Sequence, residues 1–202
     1  MMENLDELAE EFRTGLTEEA YRFLRKRGLS DSTIGTAGLG FVHRESSQPF
    51  YANSISIPYV SGGGQTIGIR FRYLDPEVRG HKYDSLKGAK LHVYNVKETD
   101  ADEVWICEGE FDTLILGQLG FAAIGLPGAS AFRSEWKWLF SNCEKVSLVM
   151  DADTPGRKAS SRIASLLGSM PCDLRVVNLP EGKDVTDLYL EDENELRQFL
   201  KG

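Results

Sequence analysis

Residues 104–112 read VWICEGEFD, in which a short apolar run ends directly on a cluster of acidic side chains. Three further apolar runs follow, at residues 121–124, 146–150 and 174–179. The segments 111–119, 129–140 and 156–167 lie between the runs and are long enough to form helices. Short apolar strands that alternate with helices are typical of a parallel sheet that is covered on both faces. Residues 101–202 are therefore predicted to form an α/β domain with a parallel sheet flanked by helices.

Carboxylates follow three of these predicted strands. The acids after the runs at 104–107, 146–150 and 174–179 are, in that order, Glu108 with Asp112, Asp151 with Asp153, and Asp184 with Asp187. The carboxyl ends of parallel strands lie at one edge of a sheet, so we expect these six acids in one crevice. Like charges at short range raise one another's pKa or require a counterion.

Carboxylate oxygens are the ligands that Mg²⁺ and Mn²⁺ prefer. Asp151 and Asp153 stand two residues apart at a predicted strand end, and we expect both to reach one cation. Gly156 is predicted to open a helix, with Arg157 facing phosphate oxygens. A structural alternative exists for any single acid: Asp153 would cap that helix and the others would be solvated. Three sets of acids at three strand ends favour metal-assisted phosphoryl transfer.

The first hundred residues differ in character and are predicted to form a smaller α+β subdomain. Apolar positions at helical spacing indicate helices over the first forty residues, with Thr17 as a cap and with breaks at Gly28 and Gly35. Residues 52–60 and 65–74 alternate in side-chain character around Gly62–Gly64, which predicts a β-hairpin.

The formal net charge of -8 argues against a protein that mainly coats nucleic acid. The distribution of charge favours a contact with nucleic acid over one limited part of the surface, because one central tract is rich in cations. Its members are Arg70, Arg72, Arg79, Lys82, Lys87, Lys90 and Lys97. This basic tract is a candidate nucleic-acid or nucleotide face, and a solvated basic loop is the alternative.

Composition places the chain among ordinary globular proteins, with 41% hydrophobic and 27% charged residues. No apolar run approaches the roughly 20 residues of a membrane span, and the acidic N-terminus is unlike a secretory signal. We therefore expect a cytoplasmic protein without a membrane partner. The three cysteines stand apart, which favours neither disulfides nor a zinc site and predicts three buried residues. The tryptophans Trp105, Trp136 and Trp138 are interpreted as packing residues.

The acidic segments together resemble a known signature. EGEFD at 108–112, DADTPGR at 151–157 and GKDVTD at 182–187 are similar to the three motifs of the TOPRIM family, which includes DnaG-type primases, topoisomerases, nucleases and RecR-like repair proteins. The resemblance covers about residues 103–190. It implies that Glu108 is a general acid or base, that Glu108, Asp151 and Asp153 bind Mg²⁺ or Mn²⁺, and that Asp112, Asp184 and Asp187 form a further acidic site. Lys183 and Arg157 would lie beside nucleotide phosphates.

The N-terminal half resembles DnaG-type primases in particular. AYRFLRKRGL, GLGFV, the hairpin at 53–74, HKYDSL and HVYNV are similar to successive primase segments. The resemblance assigns nucleotide or DNA contacts to Arg70, Arg72, Lys82 and Tyr83, and it leaves Lys87 and Lys90 as alternatives for one further position. Asn53 and Ser54 depart from the pattern, because primases usually have an arginine there.

The resemblance implies a primase that makes short RNA primers from ribonucleoside triphosphates on single-stranded DNA. The chain lacks the cysteines of a zinc-binding module, so we expect a phage-type enzyme whose zinc module and replicative helicase are other polypeptides. A TOPRIM nuclease and a non-catalytic RecR-like mediator are the competing functions. Residues 126–130 were open to two interpretations, a nucleotide contact or a loop leading into a helix capped by Ser130.

Overall fold

The computed structural model of the protein describes residues 4–201. Three short helices come first in this range. They are α1 (Leu5–Thr14), α2 (Glu18–Lys26) and α3 (Asp31–Thr36). Thr17 caps α2 by accepting a hydrogen bond from the Ala20 amide, as predicted. The predicted break at Gly35 is wrong, because this residue lies inside α3 and the left-handed turn falls at Gly38, with φ 62°.

An antiparallel sheet follows these helices. Its strands are β1 (Gly40–Val42), β2 (Ser54–Val60), β3 (Thr66–Tyr73) and β4 (Tyr83–Ser85), in the order β1-β2-β3-β4, and the short helix α4 (Pro76–Arg79) lies between β3 and β4. The predicted hairpin is therefore confirmed as β2 and β3. Leu8 and Phe12 of α1 pack against Ile69 and Phe71 of β3, which buries one stripe of the helix.

The chain divides between His92 and Val93 into two units. The second unit contains a four-stranded sheet of β5 (Glu103–Glu108), β6 (Ala123–Leu126), β7 (Lys145–Val149) and β8 (Asp173–Val176), in the order β6-β5-β7-β8. Each neighbouring pair is parallel, as predicted. Its helices are α5 (Glu110–Gln118), α6 (Thr154–Leu167), α7 (Val185–Glu191) and α8 (Glu193–Lys201).

The central strands β5 and β7 are almost wholly buried, which explains their continuous apolar sequence. Ile106 and Leu148 lie in the core with Ile163 and Leu167, which project from one side of α6. The parallel order places the carboxyl ends of β5 and β7 side by side, and the acidic motifs begin there.

Two details differ from the sequence-based expectation. Residues 129–140 do not form one helix: only Ser134–Phe140 is helical, as a 3₁₀ helix. Helix α6 starts at Thr154 rather than Gly156, because Asp153 caps it and Pro155 occupies its first turn.

The cysteine prediction holds for two of the three residues. Cys107 and Cys143 are buried, whereas Cys172 is partly exposed, because it lies just before the sheet-edge strand β8. Within residues 4–201, none of the helices has the length and apolar character needed to cross a bilayer.

Candidate active site

Glu108 is the last residue of β5 and lies at the carboxyl edge of the sheet. Its Oε1 accepts a hydrogen bond of 2.9 Å from the Ala129 amide. Its Oε2 is buried and has no hydrogen-bond partner within the described residues. Burial raises the pKa of Glu108, the bond from Ala129 opposes this rise, and Asp153 adds to it. The loop at residues 126–130 therefore holds the Glu108 carboxyl group in place through the Ala129 amide. No helix begins at Ser130, since the 3₁₀ helix starts at Ser134.

Asp151 lies just after β7, and the neighbouring acids raise the pKa of its carboxyl group. Burial is the largest cause that raises its pKa to about 7, followed by Glu108, Asp184, Asp153 and Asp187 in that order. These acids come from three separate segments of the sequence. Four of the six predicted acids therefore act on the carboxyl group of Asp151, and Asp151 in turn raises the pKa of the sixth, Asp112.

Asp153 is exposed and has a structural role as well. Its Oδ1 accepts a 2.7 Å hydrogen bond from the Gly156 amide and so caps α6. The Oδ2 atom forms no hydrogen bond within residues 4–201. The capping role that the sequence offered as an alternative is therefore present, and it leaves one oxygen of Asp153 available to a ligand.

Gly156 allows the first turn of α6 to approach the loop that carries Asp151. A Cβ atom at this position would lie 2.2 Å from the Asp151 carbonyl oxygen, which is far inside van der Waals contact. Glycine is thus required by a close backbone approach. This approach fixes the backbone of Asp151 against the helix.

Asp112 is buried and anchors two helices to each other. It accepts hydrogen bonds of 3.0 Å from the Thr186 amide and 2.6 Å from the Thr186 hydroxyl. Burial and then Asp184 raise the pKa of Asp112, whereas the Thr186 bonds lower it. Asp112 therefore supports the site from a buried position, where it is hydrogen-bonded to Thr186. Asp184 caps α7 by accepting from the Asp187 amide at 2.6 Å.

Two predicted cations are already engaged within the unit. Arg157 is exposed and donates to the Ala152 carbonyl oxygen at 3.0 Å. Lys183 forms an ion pair with Glu191. The ion pair with Glu191 makes the Lys183 ammonium less available to a phosphate.

A cavity of about 110 Å³ lies beside Asp151. Gly156, Arg157, Ser160 and Asn178 contribute to its lining. The sequence reasoning missed Ser160, Asn178 and Thr186. Ser160 and Asn178 are common polar residues outside the three motifs, and Thr186 lies inside the third motif but has its partner Asp112 far away in the sequence.

All members of the basic tract except Lys97 belong to the first unit, and the arginines among them differ in exposure. The Arg70 guanidinium lies 4.6 Å from the Tyr83 ring centre. Arg72 is only 9% exposed, stacks between Tyr83 and Phe23 at 5.3 and 5.7 Å, and donates to the Tyr73 carbonyl oxygen. Burial lowers the pKa of Arg72. The expectation that Arg72 faces DNA is therefore corrected: it supports the Tyr83 ring from inside.

The lysines of the tract remain on the surface. Lys82, Lys87 and Lys90 are all exposed, and Tyr83 is half-buried beside them in β4. Exposure alone gives no preference between Lys87 and Lys90, so both stay predictions.

The donor set at the carboxyl edge suits a hard divalent cation. No group of three or more His, Cys, Asp or Glu side chains forms a ready-made metal cage in the part of the chain that the structure describes. Mg²⁺ does not need one, since it binds through one or two carboxylates, waters and substrate phosphates. The buried Oε2 of Glu108 and the raised pKa of Asp151 are both features that a cation would relieve. Glu108, Asp151 and Asp153 therefore fit such an ion.

Comparison of the sequence with known proteins identifies a matching family model and several similar proteins. Residues 105–189 match the Toprim-like family. Gene 57 protein of Mycobacterium phage D29 is 28% identical over 144 residues, which cover 68% of this chain and 91% of that protein. The DNA primase of Clostridium acetobutylicum is 28% identical over 174 residues, which cover 80% of this chain but only 28% of the primase.

Solved structures share the fold along nearly the whole chain. The zinc-binding and RNA polymerase domains of the Aquifex aeolicus primase superpose with a TM-score of 0.85 at 22% identity, covering 98% of this chain and 59% of that one. A DnaG primase catalytic domain bound to single-stranded DNA gives a TM-score of 0.79 at 19% identity, covering 97% and 76%. The chain is therefore similar to the Toprim-like family over residues 105–189 and to bacterial DNA primases in sequence, and it has the fold of the DnaG catalytic core.

Proposed function

We propose that this chain synthesises short RNA primers on single-stranded DNA by nucleotidyl transfer. The observation that carries the proposal is the electrostatic gathering of Glu108, Asp151 and Asp153 at the carboxyl ends of β5 and β7. The relationship to bacterial DNA primases supports the choice of reaction. The chain spans about a third of those primases, so the activity of the whole enzymes is extended to it as a proposal.

In this reaction the 3′-hydroxyl of the growing strand attacks the α-phosphorus of a ribonucleoside triphosphate. A new O–P bond forms, the bond to the β-phosphate oxygen breaks, and pyrophosphate leaves. Glu108 would accept the hydroxyl proton, because its Oε1 is held by Ala129 while Oε2 has no hydrogen-bond partner within residues 4–201. Its raised pKa brings the carboxylate closer to the basicity of an effective general base.

Asp151 and Asp153 would hold Mg²⁺ or Mn²⁺, together with Glu108. Such an ion supplies charge stabilisation to the phosphate oxygens as the new bond forms. The Arg157 guanidinium, at the rim of the cavity beside Asp151, adds positive charge for the triphosphate.

The exposed lysines of the basic tract are proposed to hold the template. Lys82 and either Lys87 or Lys90 would contact phosphates, and the Tyr83 ring would offer a stacking surface with Arg70 and Arg72 behind it. A DnaG catalytic domain of the same fold binds single-stranded DNA, which supports this assignment. We further propose that a zinc-binding module and a replicative helicase act with this chain in the bacterial cytoplasm, carried by the same polypeptide or by others.

One incubation tests the proposal. The protein is mixed with single-stranded DNA, labelled ribonucleotides and Mg²⁺ or Mn²⁺, and the products are separated by length. We expect short labelled RNA from the wild type and none from Asp153→Asn. Asp173→Asn is the matched control, since Asp173 is an exposed acid at the opposite end of the sheet, and it should keep full activity.

The other possible outcomes identify the competing functions. Cut DNA without new RNA would indicate a TOPRIM nuclease that uses the same carboxylates with water as nucleophile. DNA binding without either product would indicate a RecR-like mediator. Either result refutes the primase proposal.

A further inference from the structure

Trp138 is the most prominent exposed aromatic residue of the second unit. It lies in the 3₁₀ helix Ser134–Phe140 and is 64% exposed, which corrects its interpretation as a packing residue. Trp105, by contrast, is buried as expected, and Trp136 is half-buried. An exposed indole of this size, outside the apolar core, needs an explanation in terms of what binds to it.

A cationic side chain lies near the ring of each of the two tryptophans Trp136 and Trp138. The Lys137 ammonium lies 4.9 Å from the Trp138 ring centre, and the Arg133 guanidinium lies 5.7 Å from the Trp136 ring centre. Arg162 of α6 donates to the Ser130 carbonyl oxygen at 3.3 Å, which adds a third cation beside the same segment. We call Arg133, Trp136, Lys137, Trp138 and Arg162 the Trp138 patch.

The charge of this patch contrasts with that of its unit. Residues 93–202 contain 11 Lys and Arg against 19 Asp and Glu, so the unit as a whole is acidic. Within residues 127–143, Glu135 is the only acid. A local group of cations on an acidic unit is the charge arrangement expected for a polyanion contact of limited extent.

The patch is also connected to the candidate active site through one short segment. The Ala129 amide donates to Glu108, and the next residue, Ser130, accepts from Arg162. The segment that leads to Trp138 therefore starts beside Glu108, and Arg162 contacts it at Ser130.

We propose that the Trp138 patch binds single-stranded nucleic acid, with a base stacked on the Trp138 indole and phosphates at Lys137, Arg133 and Arg162. The inference rests on the proposed function, which supplies single-stranded DNA as a substrate. Stacking accepts any base, because every base has a π face, and the flanking cations suit the backbone. A protein-docking centre would surround the ring with apolar residues, whereas the exposed apolar residues Val176 and Leu190 lie on other elements.

Tryptophan fluorescence gives a direct readout. The wild-type protein is titrated with a short oligothymidylate, without ribonucleotides, at several salt concentrations. We expect the emission to be quenched on binding, and Trp138→Ala to weaken affinity by about tenfold because one stacked base is lost. Trp138→Phe should restore most of the affinity while losing the quench, and it also covers the case in which the alanine variant folds poorly.

Salt dependence tests the cations separately. Lys137→Ala and Arg133→Ala should each reduce the magnitude of the slope of log affinity against log salt by about 0.7. Lys201→Ala removes an exposed cation on α8, outside the patch, and should leave the slope unchanged.

The failure of this inference is distinct from failure of the proposed function. Suppose that the wild type binds the oligonucleotide, that Trp138→Ala has the same affinity and that Lys137→Ala has the same salt slope. This result would overturn the Trp138 patch alone and would point to a protein partner for Trp138. An equal loss of slope in Lys201→Ala would also overturn it, since binding would then follow net charge. A wild-type protein that binds no oligonucleotide would overturn both proposals.

Discussion

Replacing Asp151 with asparagine should make the metal-free protein more stable at alkaline pH. In the folded protein the pKa of Asp151 is raised to about 7 from 3.8, so the fold favours the protonated form. The stability contributed by this protonated form is complete below pH 3.8 and is lost as the pH rises through 7. Asparagine resembles the protonated acid but cannot ionise, so the variant avoids that loss.

The size of the effect follows from the shift. A rise from 3.8 to about 7 corresponds to about 4 kcal/mol at most, at about 1.4 kcal/mol per pKa unit. Asp151 is only half-buried, and solvent screening reduces this to about 1–2 kcal/mol. We therefore expect Asp151→Asn to raise the free energy of unfolding by that amount at pH 8, and by less at pH 5.

Urea unfolding in the presence of a chelator measures this difference. All three tryptophans lie in residues 93–202, so their emission follows the unit that contains Asp151. Asp173→Asn should show no such gain. Adding Mg²⁺ at pH 8 should stabilise the wild type more than Asp151→Asn, because the ion offsets the same repulsion. Equal stability of wild type and variant at pH 8, or a gain that is larger at pH 5, would refute the electrostatic account.

Four other substitutions test the site and the tract. Glu108→Gln should lower turnover by about 10²-fold or more with little change in nucleotide affinity, as measured by primer synthesis and by equilibrium binding. Lys82→Ala should reduce the magnitude of the salt slope for single-stranded DNA by about 0.7, whereas Arg72→Ala should chiefly destabilise the first unit, since Arg72 is buried. Gly156→Ala should cost about 1–3 kcal/mol of stability and most of the activity, because its Cβ would lie 2.2 Å from a backbone oxygen.

Two of these substitutions have a matched control, and the other two have an outcome that would contradict them. Gly62→Ala adds a methyl group where nothing lies within 4 Å and should be silent in both assays. Lys201→Ala should keep the wild-type salt slope. A Glu108→Gln enzyme that turns over normally once saturated would make Glu108 a binding residue. An Arg72→Ala protein of unchanged stability with a reduced slope would return Arg72 to the DNA-facing surface.

The parallel sheet was predictable because its signal is local. Buried parallel strands must be apolar along their whole length, so β5 and β7 stand out as short runs, and the acids after them mark the carboxyl edge. The same logic placed Glu108 and Asp151 near each other without any knowledge of the loops.

The exceptions depend on contacts between distant residues. Arg70 and Arg72 share one face of β3 by alternation, yet Arg72 is buried and lies over Phe23 of α2, whereas Arg70 is partly exposed. The sequence favours a packing role for Trp138 as for the other tryptophans, but Trp138 in the 3₁₀ helix Ser134–Phe140 is 64% exposed. The burial of Asp112 depends on Thr186, which lies 74 residues away.

That bond between Asp112 and Thr186 has a consequence for synthesis of the chain. During translation β5 and α5 leave the ribosome well before Thr186, and in that interval the Asp112 carboxyl lacks both donors. A buried acceptor without donors costs free energy, so α5 has reason to stay undocked until α7 arrives. The acidic edge would then be completed only after α7 has been synthesised, which keeps chains that lack α7 from presenting the completed edge.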